Sequence, residues 1–237
     1  MTARRPLLRV MLTAHVSLSL LLWVPTMIVS ALILVGVALW GDVDRSIWHY
    51  IAAQVPRWFA LSLGVDAITT YLRVNLAHGR TRRDFLRQLW PYTAGLAVAL
   101  AVMVTIGYQL ERGAFEILGW EHRMAYPALY GDTGNVLGLL GVYSVMFLLW
   151  ALAGAMIAAG FTRNVLLGVV TIPIGLLIAA PSELLTGLNG VPLFDRLTEP
   201  LRFPMLTTIG ISLVGAVVGG LVTWAIVRAM PMRPKVA

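Results

Sequence analysis

Few side chains in this sequence can do acid–base or metal chemistry, and their spacing narrows what they can do. His15, His49, His78 and His122 are scattered and stand at no metal-ligand spacing, so no metal site is expected. Cysteine is absent, which removes disulfides, thiolate catalysis and thiolate-bound metals together. Tyr143-Ser144 places a hydroxyl inside an apolar stretch, as an intramembrane protease would, but serine needs a general base within hydrogen-bond reach. No apolar stretch carries a central histidine to serve it. No catalytic residue is therefore assigned, and the chain by itself is not expected to be an enzyme. Two features are left. Asp66 is the one carboxylate well inside an apolar stretch, and "HGRTRRDFLRQLWP", His78 to Pro91, is the densest charge in the chain.

The elements that must position these residues are membrane helices. The sequence is 59% hydrophobic and only 12% charged, against about 25% charged in soluble domains. Uncharged stretches at Val16–Gly41, Gln88–Leu110, Thr133–Thr162, Asn164–Ser182 and Phe203–Val227 each approach or exceed the ~20 residues that cross a bilayer as a helix. Ile51–Ala77 makes a weaker sixth, interrupted by Arg57, Asp66 and Arg73. The expectation is an all-α polytopic protein, a single domain over 1–237, with spans near 16–41, 51–77, 91–110, 133–162, 164–182 and 203–228. The first stretch is long and lacks a small-residue cleavage site, so it reads as a retained helix. Residues 5–15 alternate Arg with Leu, Val and Met, which predicts a short interfacial helix before it. The segment 183–204 is too apolar for a solvated loop and predicts short helices in the outer leaflet.

Charge orients the bundle. An even number of spans puts both termini on one side, and the basic start Arg4, Arg5 and Arg9 makes that side cytoplasmic. Inner segments then hold twelve basic side chains against Asp84 alone, and outer segments six against nine carboxylates. The formal charge of +7 is thus accounted for by orientation and contact with anionic lipid, and nucleic acid is not expected as a partner. Lys235 is the only lysine among the 18 basic residues, an arginine bias that points to a bacterial plasma membrane. Small residues recur as well: Ala151, Gly154, Ala155, Ala158 and Ala159 line one helix side, and Gly215 and Gly219 stand four apart. They predict close helix approach inside the subunit, with a dimer seam as the other use.

A carboxylate at the depth of Asp66 is costly unless it meets a partner or water. Arg73 lies two turns along the same helix, ~10 Å away by helical rise, too far to pair directly. A partner on another helix or a protonated Asp66 is expected. Its role is open between a substrate contact, a gate pivot and a packing anchor.

In "TRRDFLRQLW", Thr81 is a good N-cap with Asp84 three residues on, the spacing of a capping box. Phe85 with Leu89 and Leu86 with Trp90 give an apolar face, and Arg82, Arg83 and Arg87 take the other side. Gly79 frees the chain to leave the preceding span. Pro91 restricts Trp90, so the short helix should break there. A plain positive-inside loop would also fit these residues.

The stretch "NLAHGRTRRDFLRQLWP", Asn75 to Pro91, resembles the loop between the second and third spans of ABC type-2 exporter permeases, where a Gly-x-(Ser/Thr)-Arg-Arg-x-x-Phe pattern occurs. Gly79, Thr81, Arg82, Arg83 and Phe85 match it. The resemblance implies a coupling helix formed by Gly79, Arg80, Thr81, Arg82, Arg83, Asp84, Phe85 and Arg87, docked on a separate ATP-binding subunit present in two copies. It also implies a second permease subunit, identical or homologous, to enclose the pathway. The chain has no Gly-x-x-x-x-Gly-Lys-(Ser/Thr) loop, so ATP and Mg are expected on the partner and no cofactor on this chain. Two other classes remain: a secondary transporter, for which Asp66, Pro25 and Pro173 speak weakly, and a non-transporting scaffold subunit.

Overall fold

A computed structural model describes residues 6–41, 43, 45–123, 131–186 and 204–230. The described residues form helices joined by turns and short irregular segments, without strand. Four helices are long and apolar enough to cross a membrane: α1 (Pro6–Trp40), α4 (Arg82–Leu118), α5 (Val136–Arg163) and α8 (Met205–Arg228). Between them run α2 (Ile47–Asp66), a π-helical turn over Ala67–Tyr71 and α3 (Leu72–Ala77), which follow without a break as one rod. The remaining elements are α6 (Val165–Ala179) and α7 (Pro181–Thr186).

Several boundaries differ from the sequence expectation. The interfacial helix over 5–15 is not separate, because α1 runs from Pro6 straight through. No glycine or proline lies between Leu7 and Pro25 to interrupt it, and Met11 and His15 are already buried on the face that α1 turns to the bundle. The break at Trp90–Pro91 is absent too: α4 is continuous for 37 residues, with Pro91 inside it. Leu89 and Tyr92 are buried on either side of the proline, and the Trp90 ring packs against Gly220 so closely that a Cβ there would lie 2.0 Å from it. Tertiary packing on both flanks outweighs one lost N–H. The span over 164–182 shortens to the 15-residue α6, ~22 Å long. It ends where Pro181 opens α7 in the first-turn position that proline favours. Of the outer-leaflet helices expected over 183–204, α7 covers the start, and residues 187–203 lie outside the described ones.

α5 sits at the centre of the bundle, with Leu149, Ala151, Leu152, Ala153, Ala155 and Met156 buried, against α2, α4, α6 and α8. The α2–α5 contact is the most extensive. It is a glycine crossing in which a Cβ on Gly64 would lie 2.0 Å from the Ala151 carbonyl oxygen and one on Gly154 2.0 Å from that of Leu61. The small-residue side of α5 thus serves packing within the subunit. α1 runs parallel to α4, pinned where Trp23 Nε1 donates to the Met103 carbonyl (2.9 Å). Trp48 Nε1, from α2, donates to the next carbonyl, Val104 (3.0 Å).

Candidate functional site

The turn between α3 and α4 is built from its sequence residue by residue. Gly79 takes φ +71°, the left-handed conformation that a side chain disfavours. Around it Gly79 N–H bonds the Leu76 carbonyl (3.0 Å) and Arg80 N–H the Asn75 carbonyl (3.2 Å), the paired closure of a Schellman C-cap. Asn75 Nδ2 donates to the Thr81 carbonyl (3.0 Å). The capping box follows: Asp84 N–H donates to Thr81 Oγ1 (3.1 Å), and Thr81 N–H and O–H donate to Asp84 Oδ2 (3.3 and 2.6 Å). The hydrogen bonds from Thr81 hold the Asp84 carboxyl below the usual carboxylate range, helped by Arg87 and Arg80.

Beyond the cap the residues divide. Phe85, Leu86 and Leu89 are buried in the bundle, while Arg83 and Arg87 are exposed and Arg80 half-exposed. Arg82 does not join them. Its Nη1 donates to the carbonyls of Arg228 (3.4 Å) and Met230, a cation closing the C-terminus of α8. Gln88 Oε1 accepts the Leu8 N–H (3.1 Å) at the start of α1. The first two turns of α4 thereby hold the beginning of α1 and the end of α8. Of the residues expected to dock a partner, Phe85 and Arg82 face their own chain, whereas Gly79, Thr81, Arg83 and Arg87 are exposed.

Asp66 finds its partner on α1. His15 Nε2 and Asp66 Oδ2 are 3.0 Å apart, and His15 Nδ1 lies 2.5 Å from the Tyr92 hydroxyl of α4, which reaches on to the Leu63 carbonyl (3.4 Å). Thr70 O–H donates to Asp66 Oδ1 (2.6 Å), and the Tyr71 ring meets the His15 imidazole edge-on at 5.3 Å. The His15 side chain is 5% exposed and that of Asp66 40%. The π turn begins immediately after Asp66. Its wider coil rotates Arg73 about a quarter turn off the side that a regular helix would share with Asp66. Nothing in the sequence pattern joined His15 to Asp66; the only signal was the cost of a lone carboxylate at that depth.

A second polar knot sits at the other end of α4. Glu111, 9% exposed, accepts from Ile47 N–H (2.9 Å), Trp48 N–H (2.8 Å) and Ser46 O–H (2.5 Å), with His122 Nε2 at 3.0 Å. A carboxylate on the first amides of α2 satisfies orphan donors and meets the positive helix end. Beside it His49 Nδ1, the Tyr108 hydroxyl and the Tyr143 hydroxyl form a chain of 2.8 and 2.7 Å links. Burial pushes the His49 imidazole down to about 4, against a smaller upward pull from Glu111. Farther along α2, Arg57 is buried between the rings of Trp150 (5.3 Å) and Trp58 (5.7 Å) and donates to Gln54 Oε1.

Among the described residues no three His, Asp or Glu side chains meet as metal ligands would. Compared with models of protein families, with curated proteins and with solved structures, the chain matches none.

Proposed function

We propose that this chain is the membrane-spanning permease subunit of an ATP-driven exporter in a bacterial plasma membrane, worked through residues 79–90 by a separate ATP-binding subunit. In this reading it crosses the membrane six times, by α1, residues 51–77 of the rod, α4 from residue 91 on, α5, α6 and α8, with both termini cytoplasmic. ATP and Mg²⁺ belong to the partner. A second permease subunit, identical or homologous, completes the pathway, and two ATP-binding subunits drive the pair.

The observation that carries the reading is the exposed pair Arg83 and Arg87 on the capped start of α4. Held by a Schellman turn on one side and a capping box on the other, this segment is stiff enough to receive a push. Because α4 is continuous for 37 residues, ~55 Å, a displacement at Arg83 acts on the whole helix. Arg82 and Gln88 pass the same displacement to the end of α8 and the start of α1. Closure of the ATP-binding subunits would then shift the population between inward and outward access.

The test is copurification from native membranes, followed by ATP-dependent efflux in vesicles. Arg83→Glu with Arg87→Glu is expected to remove the bound ATPase and ATP-dependent efflux while leaving the bundle folded, since neither side chain is buried. Unchanged copurification and unchanged efflux in that variant would end the proposal. Efflux that needs no ATP would favour a secondary transporter instead.

A further inference from the structure

We propose that His15, Asp66 and Tyr92 form a proton-binding site that takes up one proton when α1 is docked against α2 and α4. The inference stands apart from the exporter reading, because it uses none of residues 79–90.

The argument is a count of hydrogens along one chain of contacts. Thr70 O–H donates to Asp66 Oδ1, and Asp66 Oδ2 faces His15 Nε2. His15 Nδ1 faces the Tyr92 oxygen, which faces the Leu63 carbonyl. A neutral imidazole carries one N–H and an imidazolium two. With the neutral ring, Nε2–H donates to the carboxylate and Nδ1 must accept the Tyr92 proton. The Leu63 carbonyl is then left without that donor, and the cluster carries one negative charge at membrane depth. One added proton changes every link coherently. Nδ1–H donates to the Tyr92 oxygen, the Tyr92 O–H turns to Leu63, Nε2–H still serves Asp66, and the cluster is neutral overall. The protonated state makes one more hydrogen bond and leaves no net charge on the cluster, and both differences favour it at this depth.

The ionisable groups around the site are few. α1 contributes His15, with Arg9 nearly two turns away, and the 47–77 rod contributes Asp66, Tyr71 and Arg73. α4 contributes Tyr92, and α5, which packs on the π turn, has none between Ser144 and Thr162. No side chain other than His15 and Asp66 is therefore placed to take the proton.

Three helices must be in register for this chain to exist, so proton uptake and docking are linked reciprocally. α1 is the movable member. Of its described side chains only Met11, His15, Ser19 and Ser30 are buried, and Ser19 and Ser30 spend their hydroxyls on carbonyls of α1 itself. The π turn after Asp66 is the kind of local widening that lets a helix adjust at a working site.

The absence of cysteine makes the test direct. Leu21→Cys on α1 and Val55→Cys on α2, both exposed, are spin-labelled in the full chain in lipid nanodiscs, and their distance distribution is followed from pH 5 to pH 9. The docked population is expected to fall as pH rises, its ratio to the undocked one changing at the steepest about tenfold per pH unit, the slope of one proton. Asp66→Asn and His15→Gln should each abolish the dependence, and the combined variant His49→Gln, His78→Gln and His122→Gln should keep it. Histidine ¹⁵N spectra of the unsubstituted chain guard against misfolded variants: one histidine signal should move in step with the distance. A distance that ignores pH, a dependence that survives Asp66→Asn, or four histidine signals none of which follows the distance would overturn the site.

Discussion

Gly154→Ala tests the crossing on which the bundle is assembled, and its cost can be worked from geometry. The new Cβ would lie 2.0 Å from the Leu61 carbonyl oxygen and 2.8 Å from its carbon, where real contacts stay beyond 3.0 Å. Both partners are backbone, so no rotamer change relieves the clash and α2 must part from α5 by more than ~1 Å. A gap of that size forfeits a quarter to a half of each dispersion contact, and some twenty atom pairs at ~0.15 kcal/mol lose ~1 kcal/mol. The same shift withdraws Arg57 from the Trp150 ring, which adds ~1 kcal/mol. The sum, ~2 kcal/mol, sits inside the range for overpacked cores. Tryptophan fluorescence during unfolding in mixed micelles reads it. Gly141→Ala, whose Cβ would meet nothing within 4 Å, is the control and should be neutral or slightly stabilising. Gly64→Ala should match Gly154→Ala, and the double variant should cost less than the two together, because one separation relieves both clashes. If Gly154→Ala unfolds like Gly141→Ala, the close crossing does not exist.

Two more outcomes concern the far end of α4. Glu111→Ala strips the acceptor from Ile47 N–H, Trp48 N–H, Ser46 O–H and the His122 ring; the same unfolding assay should show a loss of ~3–5 kcal/mol, with Glu111→Gln costing less. His49, at the start of α2 ahead of the 51–77 span, has a folded value near 4, below the ordinary 6.5. The unfolded chain therefore binds that proton more readily, so the stability His49 contributes is full above pH ~6.5 and is lost as pH falls through 6.5 toward 4. His49→Gln should remove that acid-side loss, and a loss unchanged in the variant would show that another group is responsible.

What could be read from the sequence was what is local in it. The apolar runs gave α1, α4, α5 and α8, and Gly79, Thr81 and Asp84 gave the turn and capping box at their own positions, because each motif closes within six residues. The misses share a cause. Pro91 carries a local rule against helix that Leu89, Tyr92 and the Trp90–Gly220 contact override. The π turn leaves no composition signal in Ala-Ile-Thr-Thr-Tyr. His15 and Asp66 are 51 residues apart, and His15 and Tyr92 77 apart, so no window contains them. Even the isolated charge of Asp66 could say only that a partner was needed.

The buried polar residues of α4 tie the helix, continuous through Pro91, to its neighbours along its length, and this is why a push at its start would matter. Gln88 reaches α1, Tyr92 reaches α1 and α2, Tyr108 reaches α2 and α5, and Glu111 reaches the start of α2. In lipid these bonds hold helices together where apolar contact with the bilayer competes evenly with apolar contact between helices. Each is spent on a different neighbour at a different depth, so α4 cannot shift along its axis without straining all of them. Motion between α4 and the rest must therefore go by exchange of these bonds. With the neutral imidazole, the His15–Tyr92 link can exchange without leaving a buried donor unmet, because the Tyr92 O–H then has the Leu63 carbonyl as a second acceptor within reach.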